Sequence, residues 1–150
     1  MLCRERGIEI SRTSNSDTGD FSSSITATVA GEGVTRTATG TLFGKSMPRL
    51  VRLDEYRTET YMDGNLLIFN HSDTPGIIGY VGSVLAEEHV NIAQMAVGRE
   101  GAQGGSAIGI LNLDSVVSPP TLQRVLENDA IDSVHLINLP AFDQLPDWLA

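Results

Sequence analysis

Cysteine is almost absent. Cys3 is the only one in 150 residues, so the chain can close no internal disulfide and offers no thiolate cluster to a metal. Long apolar runs are lacking too, and nothing approaches the roughly 20 apolar residues of a membrane-spanning helix. No segment has the layout of a signal peptide, which makes a cytoplasmic location the expectation. Basic residues are few: ten Lys and Arg stand against nineteen Asp and Glu, for a net charge of -9. That balance argues against binding nucleic-acid phosphates, because such affinity comes from clustered cations. It leaves room for a small zwitterion. Catalytic arrangements are also missing. No G-x-G-x-x-G follows a strand, and His71, His89 and His135 make no metal-ligand pattern with Cys3. Spacing supports no Ser-His-Asp or paired-carboxylate arrangement. No catalytic residue and no metal ligand is assigned.

The charge that is present divides the chain. Eight of the ten Lys and Arg precede Gly64, whereas the acidic residues are spread over both halves. From Ile8 to about Tyr61 the segments IEISRTS, SSITATVA, VTRTATGTLF, PRLVRLD and YRTETYM are rich in Thr, Val and Ile and are punctuated by TGD, GEG and GKSMP. These read as strands of an antiparallel sheet. The opening MLCRERG reads as the last turn of a helix stopped by Gly7, which makes residues 1–63 look like part of a domain.

After the MDGN turn the rhythm changes. LLIFNH reads as a buried strand, and PGIIGYVGSVLAEEH places Ile77, Ile78, Val81, Val84 and Leu85 at helical spacing. VNIAQMAVGRE follows as a strand, then the turn GAQGG and the strand SAIGILNLD. SPPTLQRVLEN is a short helix with Ser118 as its cap, Pro119 at its first position, and Leu122, Val125 and Leu126 on one face. IDSVHLINL closes the set. The order β-α-β-β-α-β over residues 64–139 predicts an α+β, ferredoxin-like fold, with two helices over one face of a four-stranded antiparallel sheet. Residues 140–150 form a tail in which Phe142, Leu145 and Trp148 are candidates for docking on the sheet's exposed face or on another subunit, against the plainer reading of a loosely held terminus.

Candidate site residues lie in NHSDTPGIIG, residues 70–79. With Pro75 at the first helical position, Thr74 becomes the cap, and Asp73 and His71 are set beside a helix N-terminus suited to a carboxylate. An α-amino acid has a carboxylate for those amides and an ammonium for Asp73. Asn91 is expected at the same end of a neighbouring strand, adding a donor and an acceptor. Each residue also has a plain structural reading: a helix charge partner, a strand end and a turn former. In the first helix Gly79 and Gly82 each cost about 1 kcal/mol relative to Ala. They imply a close neighbour, either outside the chain or in a tight fit within its own fold.

LLIFNHSDTPGIIGYVGSVLAEEHVNIAQMAVGRE, followed by GGSAIGILNLD, resembles the ACT domain of the D-3-phosphoglycerate dehydrogenase family, and GTLFGKSMPRLVRLDEYRTE resembles the intervening domain of its long form. The resemblance implies a mainly β intervening domain, truncated here, over residues 1–63, and an ACT domain over 64–139. It implies pairing of ACT domains into a homodimer or higher homo-oligomer, with L-serine or a similar small amino acid bound at the seam. His71 and Asp73 would contact that ligand from one subunit and Asn91 from the other. Lys45, Arg49, Arg52 and Arg57 are candidates for an anion, against the plainer reading of a solvated basic face. NAD would belong to the nucleotide-binding domain of the whole enzyme, with no cofactor on this chain. Two alternatives stand beside this reading: a pairing module without ligand response, and the regulatory half of an iron–sulfur L-serine dehydratase.

Overall fold

A computed structural model describes residues 5–14, 16, 21–101, 104–140 and 144. Two four-stranded antiparallel sheets stack on one another. The first contains β1 (Ser24–Gly31), β2 (Val34–Phe43), β3 (Met47–Leu53) and β4 (Tyr56–Tyr61) as a meander in sequence order. The second contains β5 (Gly64–Ser72), β6 (Ile92–Arg99), β7 (Ser106–Leu113) and β8 (Ile131–Leu139) in the order β6-β7-β5-β8. Helices α1 (Ile77–Glu87) and α2 (Pro119–Val125) connect β5 to β6 and β7 to β8. This is the expected ferredoxin-like arrangement.

Period-two alternation explains how the central strand serves two cores. In β5, Leu67 and Phe69 point to the helices, where they join Ile77, Val81, Val84, Leu85, Leu111 and Val125. Leu66 and Ile68 point the other way and join Ile108 and Ile110. That second face is covered by the first sheet, through Leu50 and Tyr56. The interface also has a polar seam. The Thr60 hydroxyl lies 2.8 Å from Gln94 Oε1 and 2.9 Å from Asn112 Oδ1, and Gln94 Nε2 donates to the Glu59 carbonyl at 3.0 Å. These bonds satisfy polar groups that the stacking removes from water.

Two glycines make the packing possible. A Cβ on Gly109 would lie 2.2 Å from Phe69 Cζ, directly across the β5–β7 ladder. On Gly98 it would lie 2.5 Å from the Arg57 carbonyl oxygen of the covering sheet. By contrast, a Cβ on Gly79 or Gly82 meets nothing within 4 Å. The alternative that these two fit tightly within the chain's own fold is therefore corrected: both positions face open space among the described residues.

The short helix α2 follows its sequence signals. Ser118 caps it, accepting from the Thr121 amide at 3.4 Å, and Pro119 occupies the first position. Arg124 near its end pairs with Glu87 and Glu88 at the end of α1, and the hydrogen bond it donates to Glu87 raises the guanidinium pKa above its ordinary value. IEISRTS departs from expectation: Ile8 to Ser14 form no strand, and Ile8 and Ile10 are exposed, because no neighbouring strand pairs with them among the described residues. Gly7 has the left-handed φ of +70° that suits a helix stop. Met1 to Arg4, and the tail residues Phe142, Leu145 and Trp148, lie outside the described residues.

Candidate ligand-binding site

The stretch NHSDTPG runs from the last residues of β5 into α1. Its backbone is tied on both sides: the Ser72 amide donates to the Ala130 carbonyl, and the Asp73 amide to the Gly105 carbonyl, each at 2.8 Å. The helix starts later than its sequence implies. Gly76, with φ 97°, is the N-cap and makes no side-chain cap bond, and Ile77 is the first helical residue. Thr74 is therefore not the cap; it turns back on Ser72, its amide 2.8 Å from the Ser72 carbonyl. The reason is the left-handed glycine, which breaks the helical path between Pro75 and Ile77. The consequence for the site is a first turn with no side-chain cap among the described residues, a kind of helix end that suits an anion.

His71 lies in the strand, not in a loop. It is 2 % exposed, and its ring stacks on Phe69 with centroids 5.4 Å apart. Nδ1 lies 2.8 Å from the Ser72 carbonyl oxygen, which only accepts, so Nδ1 carries the proton. In the neutral ring Nε2 is then an acceptor, and it is buried with no partner among the described residues. A buried polar atom left unmatched is costly.

Asp73 is better satisfied, but by one oxygen only. Oδ2 lies 2.9 Å from Arg99 Nε and accepts from the Gly104 amide at 3.2 Å, with the Asp73 side chain 11 % exposed. No bond reaches Oδ1 among the described residues. Arg99, the last residue of β6, was given no role by the sequence reading. The signal was the pairing of β6 with β7, which places Arg99 opposite Ala107 while His71 faces Ala107 from the other side; spacing along the chain does not show it.

Asn91 stands elsewhere. It precedes β6 at the end where Ile92 and Asn65 both pair with Leu113, and its Nδ2 donates to Asp114 Oδ2 at 2.7 Å. Seven strand steps of about 3.3 Å separate that end from Arg99, roughly 23 Å in all. The expectation of Asn91 at the same end as Asp73 is corrected within one chain. Helix α1 runs back along the sheet, so β6 starts beside the beginning of β5 and not beside its end.

Three of the four basic candidates, Arg49, Arg52 and Arg57, lie on β3 and β4 of the first sheet. Arg49 is buried, its guanidinium 3.8 Å from the Tyr61 ring centroid and its terminal nitrogen 3.0 Å from the Pro48 carbonyl. Arg52 and Arg57 face each other across β3 and β4. Lys45 sits apart in the exposed β2–β3 turn.

The βαββαβ order, with its sheet order β6-β7-β5-β8, is the arrangement of an ACT-type domain. Residues 65–129 match the ACT domain family, and residues 1–54 match the family described as D-3-phosphoglycerate dehydrogenase intervening domain. The chain is 34% identical over 139 residues to D-3-phosphoglycerate dehydrogenase of Bacillus subtilis. It is 32% identical to that of Synechocystis and 31% identical to that of Archaeoglobus fulgidus. These alignments cover 93%, 91% and 90% of the chain but 26%, 24% and 26% of the relatives. The chain thus belongs to the D-3-phosphoglycerate dehydrogenase family, spans about a quarter of its curated relatives' length, and corresponds to a regulatory part. The relatives' names favour this over the dehydratase alternative. Among the described residues no helix is long and apolar enough to cross a membrane.

Proposed function

We propose that this chain is the effector-sensing and pairing part of a cytoplasmic D-3-phosphoglycerate dehydrogenase, and that it binds L-serine or a similar small amino acid. The observation that carries this reading is the unmatched chemistry at the end of β5. A buried acceptor, His71 Nε2, a half-occupied carboxylate, Asp73, and an uncapped helix turn belong to one short segment. A small ligand with an ammonium, a hydroxyl and a carboxylate supplies the partners those groups lack.

Pairing of two copies accounts for Asn91. Strand β6 is an edge of its sheet, with Met95 and Val97 exposed. If two β6 edges join antiparallel about a two-fold axis, the Asn91 end of one copy comes beside the Asp73 end of the other. The ligand then bridges the seam. A ligand that binds one arrangement of the pair more tightly shifts the subunits toward it, and catalytic domains joined to the pair change activity in step. Hydride transfer and its NAD belong, in this reading, to those other domains.

Thermal unfolding with and without ligand tests the reading. Saturating L-serine is expected to raise the unfolding midpoint, because a ligand bound only by the folded state stabilises it by mass action. D-serine is expected to do so far less. No shift with any small amino acid would leave the pairing module without ligand response as the surviving alternative.

A further inference from the structure

Arg99 lies at this end of the sheet, in ion-pair contact with Asp73, and neither the sequence reading nor the family matches give it a role. We propose that Arg99 is a specificity-determining residue of the amino-acid site, receiving the carboxylate of the ligand whose ammonium Asp73 receives. This rests on the reading that the site binds an amino acid.

Position and chemistry both point to it. The backbone of Arg99 is fixed at the rigid end of β6, in register with Ala107, and the next amide, that of Glu100, donates to the Ser106 carbonyl at 3.0 Å. The guanidinium approaches Asp73 through Nε alone. Its terminal N–H groups make no hydrogen bond among the described residues, and the side chain is 55 % exposed. Asp73, in turn, commits Oδ2 and leaves Oδ1 without a bond among the described residues.

The pair therefore presents an open carboxylate oxygen beside open guanidinium donors. In an α-amino acid the ammonium and the carboxylate hang from one carbon, so they need an acceptor and a donor side by side. The pair meets that need without separating. Arginine suits the role because its planar fork matches a carboxylate through two parallel bonds, which a lysine cannot reproduce. Asp73 is 11 % exposed and Arg99 55 %, so the cation balances a largely buried carboxylate and still keeps exposed surface for a ligand.

The test compares L-serine with L-serinamide, which keeps the ammonium and the hydroxyl but has no carboxylate. Calorimetry on the full chain at about pH 6 keeps both amines protonated. The native protein is expected to bind L-serine about 10- to 100-fold more tightly than the amide, the span for a hydrogen bond to a charged group. In Arg99→Gln this preference is expected to fall below about threefold, mainly through loss of L-serine affinity. Arg99→Lys is expected to lie between the two, and also guards against a folding defect in the first variant. If Arg99→Gln weakens both ligands equally, Arg99 only holds Asp73 and the proposal is overturned. It is equally overturned if L-serine binds more tightly to the variant, since Arg99 would then be a competitor for Asp73. A native chain that binds neither compound overturns the amino-acid reading itself, and this assignment with it.

Discussion

Single residues determine what this site can hold. Asn91 is exposed, and among the described residues its side chain bonds only to Asp114. Asn91→Ala is expected to change stability by no more than about 0.5 kcal/mol, as surface substitutions usually do, yet to weaken L-serine binding about tenfold by removing a hydrogen bond to a charged group. Calorimetry and urea unfolding read the two effects separately; unchanged affinity would remove Asn91 from the site. The sequence announced Asp73 and His71 as a pair because a turn alone needs neither. It could not show that His71 is buried against Phe69, or that Arg99 lies beside Asp73, since both facts come from the register of β7 with its two neighbours. Asn91 was placed at the wrong end for a related reason. Sequence order does not reveal that a helix returns the chain to where the previous strand began.

Elements were the most legible part. Alternation and helical spacing located β1 to β8 and both helices, and Ser118-Pro119 marked the start of α2. The start of α1 was misjudged because Gly76 takes a left-handed conformation that no hydrophobic pattern encodes. Two glycine substitutions probe contacts between elements. Gly98→Ala puts a methyl against the Arg57 carbonyl and is expected to cost about 1–3 kcal/mol in urea unfolding, the usual range for overpacking. A fully stable variant would show that the two sheets are not pressed together there. Gly82→Leu has the opposite signature, since the chain leaves space at that position. The monomer is expected to hold or gain stability by up to about 1 kcal/mol, as a better helix former replaces glycine, while light scattering shows fewer dimers. Unimpaired pairing would mean that this side of α1 faces only water.

For the whole molecule, the two-sheet stack joins an arginine-bearing sheet to the β5–α1 end of the second sheet. Tyr56 of the first sheet reaches Ser106 of the second, its hydroxyl 2.5 Å from Oγ, and Ser106 pairs with Ser72 at the end of β5. The docking of one sheet on the other was not legible beforehand. Leu66, Ile68, Ile108 and Ile110 read only as buried strand positions, and hydrophobic patterning does not name the surface that covers them. The claim on which the rest depends is that this chain pairs and binds a small amino acid at the seam. Calorimetric titration of the purified chain with L-serine, with mass measured by light scattering on the same sample, tests it most directly. The expected result is a dimer with saturable binding of L-serine and much weaker binding of D-serine. A monomer, or a dimer that gives no heat with L-serine or any other small amino acid, would contradict it.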